Sequence, residues 1–119
     1  MIVKEVNTFT AQIYMGLTRF YTTECVDYTK VETSVCKFCD EAKIGVTMEK
    51  IQFIYPGSME HGARISLINY PRFPREEEDI KGIALKLAWQ LLNKYDQNRL
   101  SIVFPRTTVM LERDEPKEK

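Results

Sequence analysis

The chain has 119 residues, 44% hydrophobic and 29% charged, with 17 basic and 17 acidic side chains and a formal net charge of zero. That length fits one domain around one core, read here as a ligand-binding domain over 1–113 with a charged, frayed tail over 114–119. Even charge argues against broad binding to DNA or RNA, which needs a net basic face. No apolar run approaches the roughly 18–20 residues that span a bilayer. Acidic and polar residues follow Met1-Ile2-Val3 at once, unlike a signal peptide, so a cytoplasmic protein is expected. Three cysteines, an odd count, fit reduced thiols.

Residues 8–17 alternate with a period of two. Phe9, Ala11, Ile13, Met15 and Leu17 share one face, and Thr8, Thr10, Gln12, Tyr14 and Gly16 the other, which predicts a first strand. A polar stretch over 18–29 reads as a loop. Val31, Val35, Cys39 and Ala42 recur at helical spacing, so a first helix is expected over Lys30–Lys43, with Gly45 as its left-handed cap. A second strand is expected from Val46 to Tyr55. Val46 and Met48 lie on one phase and Ile51, Phe53 and Tyr55 on the other, so a bulge is expected near Glu49 and Lys50. Pro56-Gly57-Ser58 opens a turn, and the loop is expected to continue through Glu60, His61 and Gly62.

A third strand, Ala63–Tyr70, is apolar on both faces and reads as central. It ends in a stiff loop, Asn69-Tyr70-Pro71-Arg72-Phe73-Pro74. A second helix is expected to begin near Pro74, with Glu76, Glu77, Glu78 and Asp79 at the positive end of its dipole. Its stripe is Ile80, Ile83, Ala84, Leu87, Ala88, Leu91 and Tyr95. A fourth strand is expected from Leu100 to Glu112, with a phase change after Pro105 that marks an edge or a bulge.

The order βαββαβ predicts an α+β two-layer sandwich: a four-stranded antiparallel sheet, strand order 4-1-3-2, with two helices on one face. Asn69–Phe73, Arg106–Met110 and Asn7–Thr10 would then meet at one end of the sheet. Tyr14, Gln52, Ile54, Ile68, Tyr70 and Val103 would face away from the helices, a surface expected to be covered by a second copy of the chain.

Catalytic signatures are missing. Cys36 and Cys39 fall in mid-helix, where a redox pair would open one. Together with Cys25 and His61 they make a poor zinc set, and no metal or cofactor is expected. His61 has no identifiable partner. There is no phosphate loop, no G-x-S-x-G and no H-E-x-x-H, so a non-enzymatic protein is expected. The converging sheet end offers an amide (Asn69), arginine forks (Arg72, Arg106), hydroxyls (Thr107, Thr108) and ring faces (Tyr70, Phe73), the groups that a nucleotide-like ligand needs. With Arg99 these make the expected ligand-binding set.

Three segments carry a family resemblance. The stretches 8–17 (Thr-Phe-Thr-Ala-Gln-Ile-Tyr-Met-Gly-Leu), 67–74 (Leu-Ile-Asn-Tyr-Pro-Arg-Phe-Pro) and 108–113 (Thr-Val-Met-Leu-Glu-Arg) resemble the phage Thoeris anti-defence sponge proteins of the first described type. The resemblance implies a phage protein in the host cytoplasm. Such a protein sequesters a cyclic ADP-ribose isomer, and in some members cyclic oligonucleotides, without cleaving it. It also implies a dimer or higher oligomer with pockets at subunit contacts. A ferredoxin-like or nitrogen-regulator-like metabolite-sensing module is the alternative.

Overall fold

The structure is a computed structural model that describes residues 1–20 and 22–114. The expected tail thus lies, from residue 115 on, outside the described residues. The elements run β1 (Thr10–Gly16), α1 (Tyr28–Ala42), β2 (Thr47–Tyr55), β3 (Ser58–Ile68), α2 (Glu77–Lys94), β4 (Arg99–Val103) and β5 (Thr108–Glu112). The fold is α+β, with two helices and one antiparallel sheet in the order β2-β3-β1-β4-β5. The expected order of the first four strands is found. The sheet nevertheless has five strands rather than four. The phase change after Pro105 is a reversal, not a bulge: Phe104 N donates to the Thr107 carbonyl at 2.8 Å, and β5 returns along β4 from Thr108 opposite Val103.

The first strand's alternation sets the layers. Ala11, Ile13 and Met15 are fully buried against the helices, while Thr10, Gln12, Tyr14 and Gly16 look the other way. Ile65, Leu67, Leu100 and Ile102 complete the sheet side of the core. Val31, Val35 and Phe38 from α1 and Ile80, Ala84, Leu87, Ala88 and Leu91 from α2 complete the helix side. Asp27 caps α1 by accepting from Thr29 N at 2.9 Å. The helix stops at Lys43 rather than reaching Gly45, because Lys43 itself takes the left-handed conformation at φ 57°.

β2 and β3 pair in unbroken register from Thr47 opposite Ser66 to Tyr55 opposite Ser58, joined by Pro56-Gly57 with Gly57 at φ 77°. No bulge interrupts β2. Its two apolar phases are two faces used at two ends: Met48 faces the helices, opposite Ile65, and Phe53 faces away, opposite Glu60. Gln52 and Ile54 therefore lie on the helix-side face, not on the open one where they were expected. His61 pairs with Gln52 and sits in a strand rather than in a loop. The hairpin also outruns β1, whose last paired residue, Gly16, lies opposite Gly62. α2 begins at Glu77, three residues after Pro74, because the preceding loop folds back: Asn69 Oδ1 accepts from Arg75 N at 2.9 Å.

Candidate functional site

The open face of the sheet carries an unusual pair. Gly16 and Gly62 face each other across β1 and β3. A strand interior with no side chain weakens the sheet and often marks a place where something approaches closely. Both vacancies are filled. A Cβ on Gly62 would lie 2.8 Å from the Met15 carbonyl oxygen and would overlap the Phe53 ring. A Cβ on Gly16 would lie 2.9 Å from Cδ of Glu60. The Glu60 carboxylate thus rests directly on the backbone of β1.

Two hydroxyls hold that carboxylate. Thr18 Oγ1 donates to Oε2, and Tyr55 Oη donates to Oε1 at 3.4 Å. Thr18 is placed by a small reversal in which Thr18 bridges Cys25 and Val26 N donates to the Leu17 carbonyl at 2.8 Å. Next to Glu60 stand the rings of Phe53 and Tyr14, with centroids 6.4 Å apart. Arg64 follows along the face, its guanidinium 6.0 Å from the Tyr14 centroid and its Nε 2.9 Å from Glu49 Oε1. Contact with Tyr14 first, and with Glu49 second, raises the Arg64 pKa above the ordinary arginine value. This cluster, termed the Glu60 notch, sets a carboxylate, two aromatic rings and one already paired cation side by side on the open face. It can hold a cation or accept hydroxyl hydrogens.

The expected ligand set is distributed differently. Asn69 is spent on architecture: its Nδ2 donates to the Asn7 carbonyl at 2.9 Å while its Oδ1 receives Arg75 N. Tyr70 and Phe73 are 50% and 64% exposed, their centroids 6.2 Å apart, and the Arg72 guanidinium lies 5.3 Å over Phe73. Tyr70 and Phe73 line the loop-end groove, with Arg72 beside them. Arg106, Thr107 and Thr108 are at the same end of the sheet but on the far side of β1. There Arg106 and Thr107 line a separate depression with Thr8, Phe9 and Phe104. Arg99 is at the opposite end, paired with Glu112 at 3.5 Å. Seven of these residues thus share one sheet end but no common pocket: Asn69, Tyr70 and Phe73 line depressions on one side of β1, and Arg106 and Thr107 line another on its far side. The acidic helix start is met by Arg75, 3.6 Å from Asp79.

Glu60 escaped the sequence reading because Glu60-His61-Gly62 looks like a turn. A signal was present all the same. If Pro56-Gly57 is a two-residue turn, counting back puts Glu60 in a strand opposite Phe53; the facing of Gly16 and Gly62 depends on the separate pairing of β1 with β3. Cys36 and Cys39 are mid-helical free thiols, and burial pushes the Cys39 thiol pKa up, away from reactivity. Among the described residues, no group of three or more His, Cys, Asp and Glu side chains is placed to hold a metal ion. No helix among them is long and apolar enough to cross a membrane.

No protein-family model and no curated protein matches the chain. Solved structures do. A phage SAM lyase in its apo state superposes with a TM-score of 0.80 at 14% identity, covering 98% of this chain and 100% of that one. A phage SAM lyase in complex with S-methyl-5′-thioadenosine gives a TM-score of 0.77 at 15% identity, covering 98% of each. A de novo designed protein, Foldit4, shares part of the architecture at a TM-score of 0.51 and 13% identity. The expectation of a non-enzymatic chain is corrected here. From end to end the fold is one that carries a lyase in those two structures, and the absence of a few familiar motifs does not exclude an enzyme.

Proposed function

We propose that this protein is a lyase acting on S-adenosylmethionine, with the Glu60 notch as its reaction site. The observation that carries the reading is the carboxylate seated on Gly16 and held by the Thr18 and Tyr55 hydroxyls, in a fold shared along its whole length with a SAM lyase. The neighbour's bound S-methyl-5′-thioadenosine defines the bond at stake. That molecule keeps the methyl and adenosyl groups on sulfur, so the bond broken in SAM is the one from sulfur to Cγ of the aminobutyrate chain. The electron pair of that bond returns to sulfur, and the sulfonium becomes a neutral thioether. The four-carbon fragment balances the step either by losing a Cβ proton or by closing its own carboxylate onto Cγ. Neither route consumes water.

The notch fits this chemistry. The π faces of Tyr14 and Phe53 and the Glu60 carboxylate attract a sulfonium on arrival. Each Glu60 oxygen already accepts a hydroxyl, so it is placed to take further hydrogens from the substrate's ribose or ammonium group. Positive charge disappears as the bond breaks, so surroundings less polar than water favour the transition state over the bound sulfonium. A cyclic ADP-ribose isomer or a cyclic oligonucleotide would instead need unpaired cations for its phosphates. The arginine in this notch is tied to Glu49, and this favours SAM over the Thoeris ligands. An anti-defence role survives in another form: depleting the methyl donor would disarm host enzymes that depend on it. A second copy lying on the open face would cover the half-exposed Ile68, Tyr55 and Met110 and wall the notch. Light scattering tests that assembly.

The decisive experiment is incubation of the purified protein with SAM, with products separated and weighed by mass spectrometry. S-methyl-5′-thioadenosine should accumulate, with no solvent oxygen in the first-formed fragment when the reaction is run in ¹⁸O water. Adenosine or methionine as the product, or intact SAM, would sink the reading.

A further inference from the structure

We infer that the groove beside Tyr70 and Phe73 is a second ligand site, separate from Glu60, for a planar heteroaromatic ring that carries an anionic group. The cavity measures about 260 Å³. That is just under the roughly 300 Å³ at which drug-sized sites begin, so it suits a nucleoside-sized molecule. Its floor and sides are aliphatic (Ile44, Val46, Ile68), and Tyr70 and Phe73 leave ring faces exposed at its mouth. Exposed rings on a stiff loop are a stacking platform.

The walls are tied together before any ligand arrives. Arg75 Nη2 donates to the Ala42 carbonyl at 3.2 Å and to the Lys43 carbonyl at 2.7 Å, clamping the end of α1. Arg75 N is held by Asn69 on the other wall. A pre-formed cavity saves the ordering cost of binding. Charge selects the anionic substituent. Lys43 and Arg75 line the cavity and Arg72 stands 5.3 Å over the Phe73 ring beside it, whereas Glu76, Glu77 and Asp79 line the adjoining depression that shares Lys43, Phe73 and Arg75. Ile68 is eight residues along β3 from Glu60, about 26 Å at strand rise, so one nucleoside cannot reach both places.

The test is calorimetric titration of the full chain with adenosine 5′-monophosphate and with adenosine. AMP should bind at one per chain, equally to wild type and to Glu60→Gln. Phe73→Ala should weaken it by about tenfold or more. Arg72→Gln should weaken AMP and leave adenosine unchanged. Phe73 and Arg72 are exposed, so unchanged thermal melting will certify both variants as folded. No binding of either probe at millimolar concentration overturns the inference. So does binding that is lost in Glu60→Gln and kept in Phe73→Ala, which would put the ligand in the notch. SAM turnover without AMP binding removes this site and leaves the lyase, and AMP binding without SAM turnover does the reverse.

Discussion

β3 has a polar side chain near its start and another just past its end, and the two are used in opposite ways. Asn69 spends its amide on backbone: the carbonyl of Asn7 takes its donor, and the N–H of Arg75 fills its acceptor. The Glu60 carboxylate bonds instead to side-chain hydroxyls among the described residues. Two hydroxyls steady it, and it rests on a glycine chosen for space. A side chain committed to backbone at both poles is architecture. A carboxylate steadied by hydroxyls keeps lone pairs for a substrate. The difference teaches that a conspicuous polar residue can be scaffolding, while a site can hide inside a strand.

Substitutions can break that comparison. The largest effect is expected from Glu60→Gln, which keeps shape and removes charge. At low SAM, kcat/KM should fall about 100-fold, close to 2.7 kcal/mol of lost substrate capture, with an unchanged melting temperature. An equal rate would return Glu60 to the scaffold. Gly62→Ala should act on stability instead, costing about 1–3 kcal/mol by urea unfolding, because its new methyl meets backbone as well as a ring. Gly16→Ala meets the mobile end of Glu60, so it should lower turnover more than it lowers stability. Asn69→Ala should cost about 1–2 kcal/mol of stability through two lost hydrogen bonds. Its turnover per folded molecule should match wild type. Thr18→Val removes one support of Glu60 and should slow turnover by about three- to tenfold, the net worth of one hydrogen bond. The smallest difference concerns thiols. With its pKa raised by burial, Cys39 should be alkylated by iodoacetamide at pH 8 more slowly than Cys25 or Cys36. Peptide mapping orders the three, and a fastest Cys39 would reopen the redox reading of Cys36 and Cys39.

Much of the scaffold was legible locally. The alternation from Thr8 to Leu17 and the stripe from Ile80 to Leu91 each arise from one period of one element, and each landed in the core. The errors arose where two elements share a segment. Residues 100–112 contain two strands because Pro105-Arg106 reverses the chain, and an alternating run broken by proline looks the same whether it bulges or turns back. β2 looked slipped because its apolar residues serve different faces at its two ends. The site was the least legible part. Glu60, Gly16 and Phe53 come from three strands, and their meeting depends on hairpin register, which is set by pairing rather than by any one segment.

The sequence by itself determined the order of the first six elements, the face of β1 that is buried and the even charge that disfavours nucleic-acid polymers. These follow from periodicity and composition, which are properties of single segments. Only the tertiary structure decided that β4 and β5 are separate strands, that Asn69 serves the backbone and that a carboxylate rests on a bare stretch of β1. Those depend on which atoms come close across distant parts of the chain. Close approach is a property of packing, and Glu60 over Gly16 exists only once β3 has found β1.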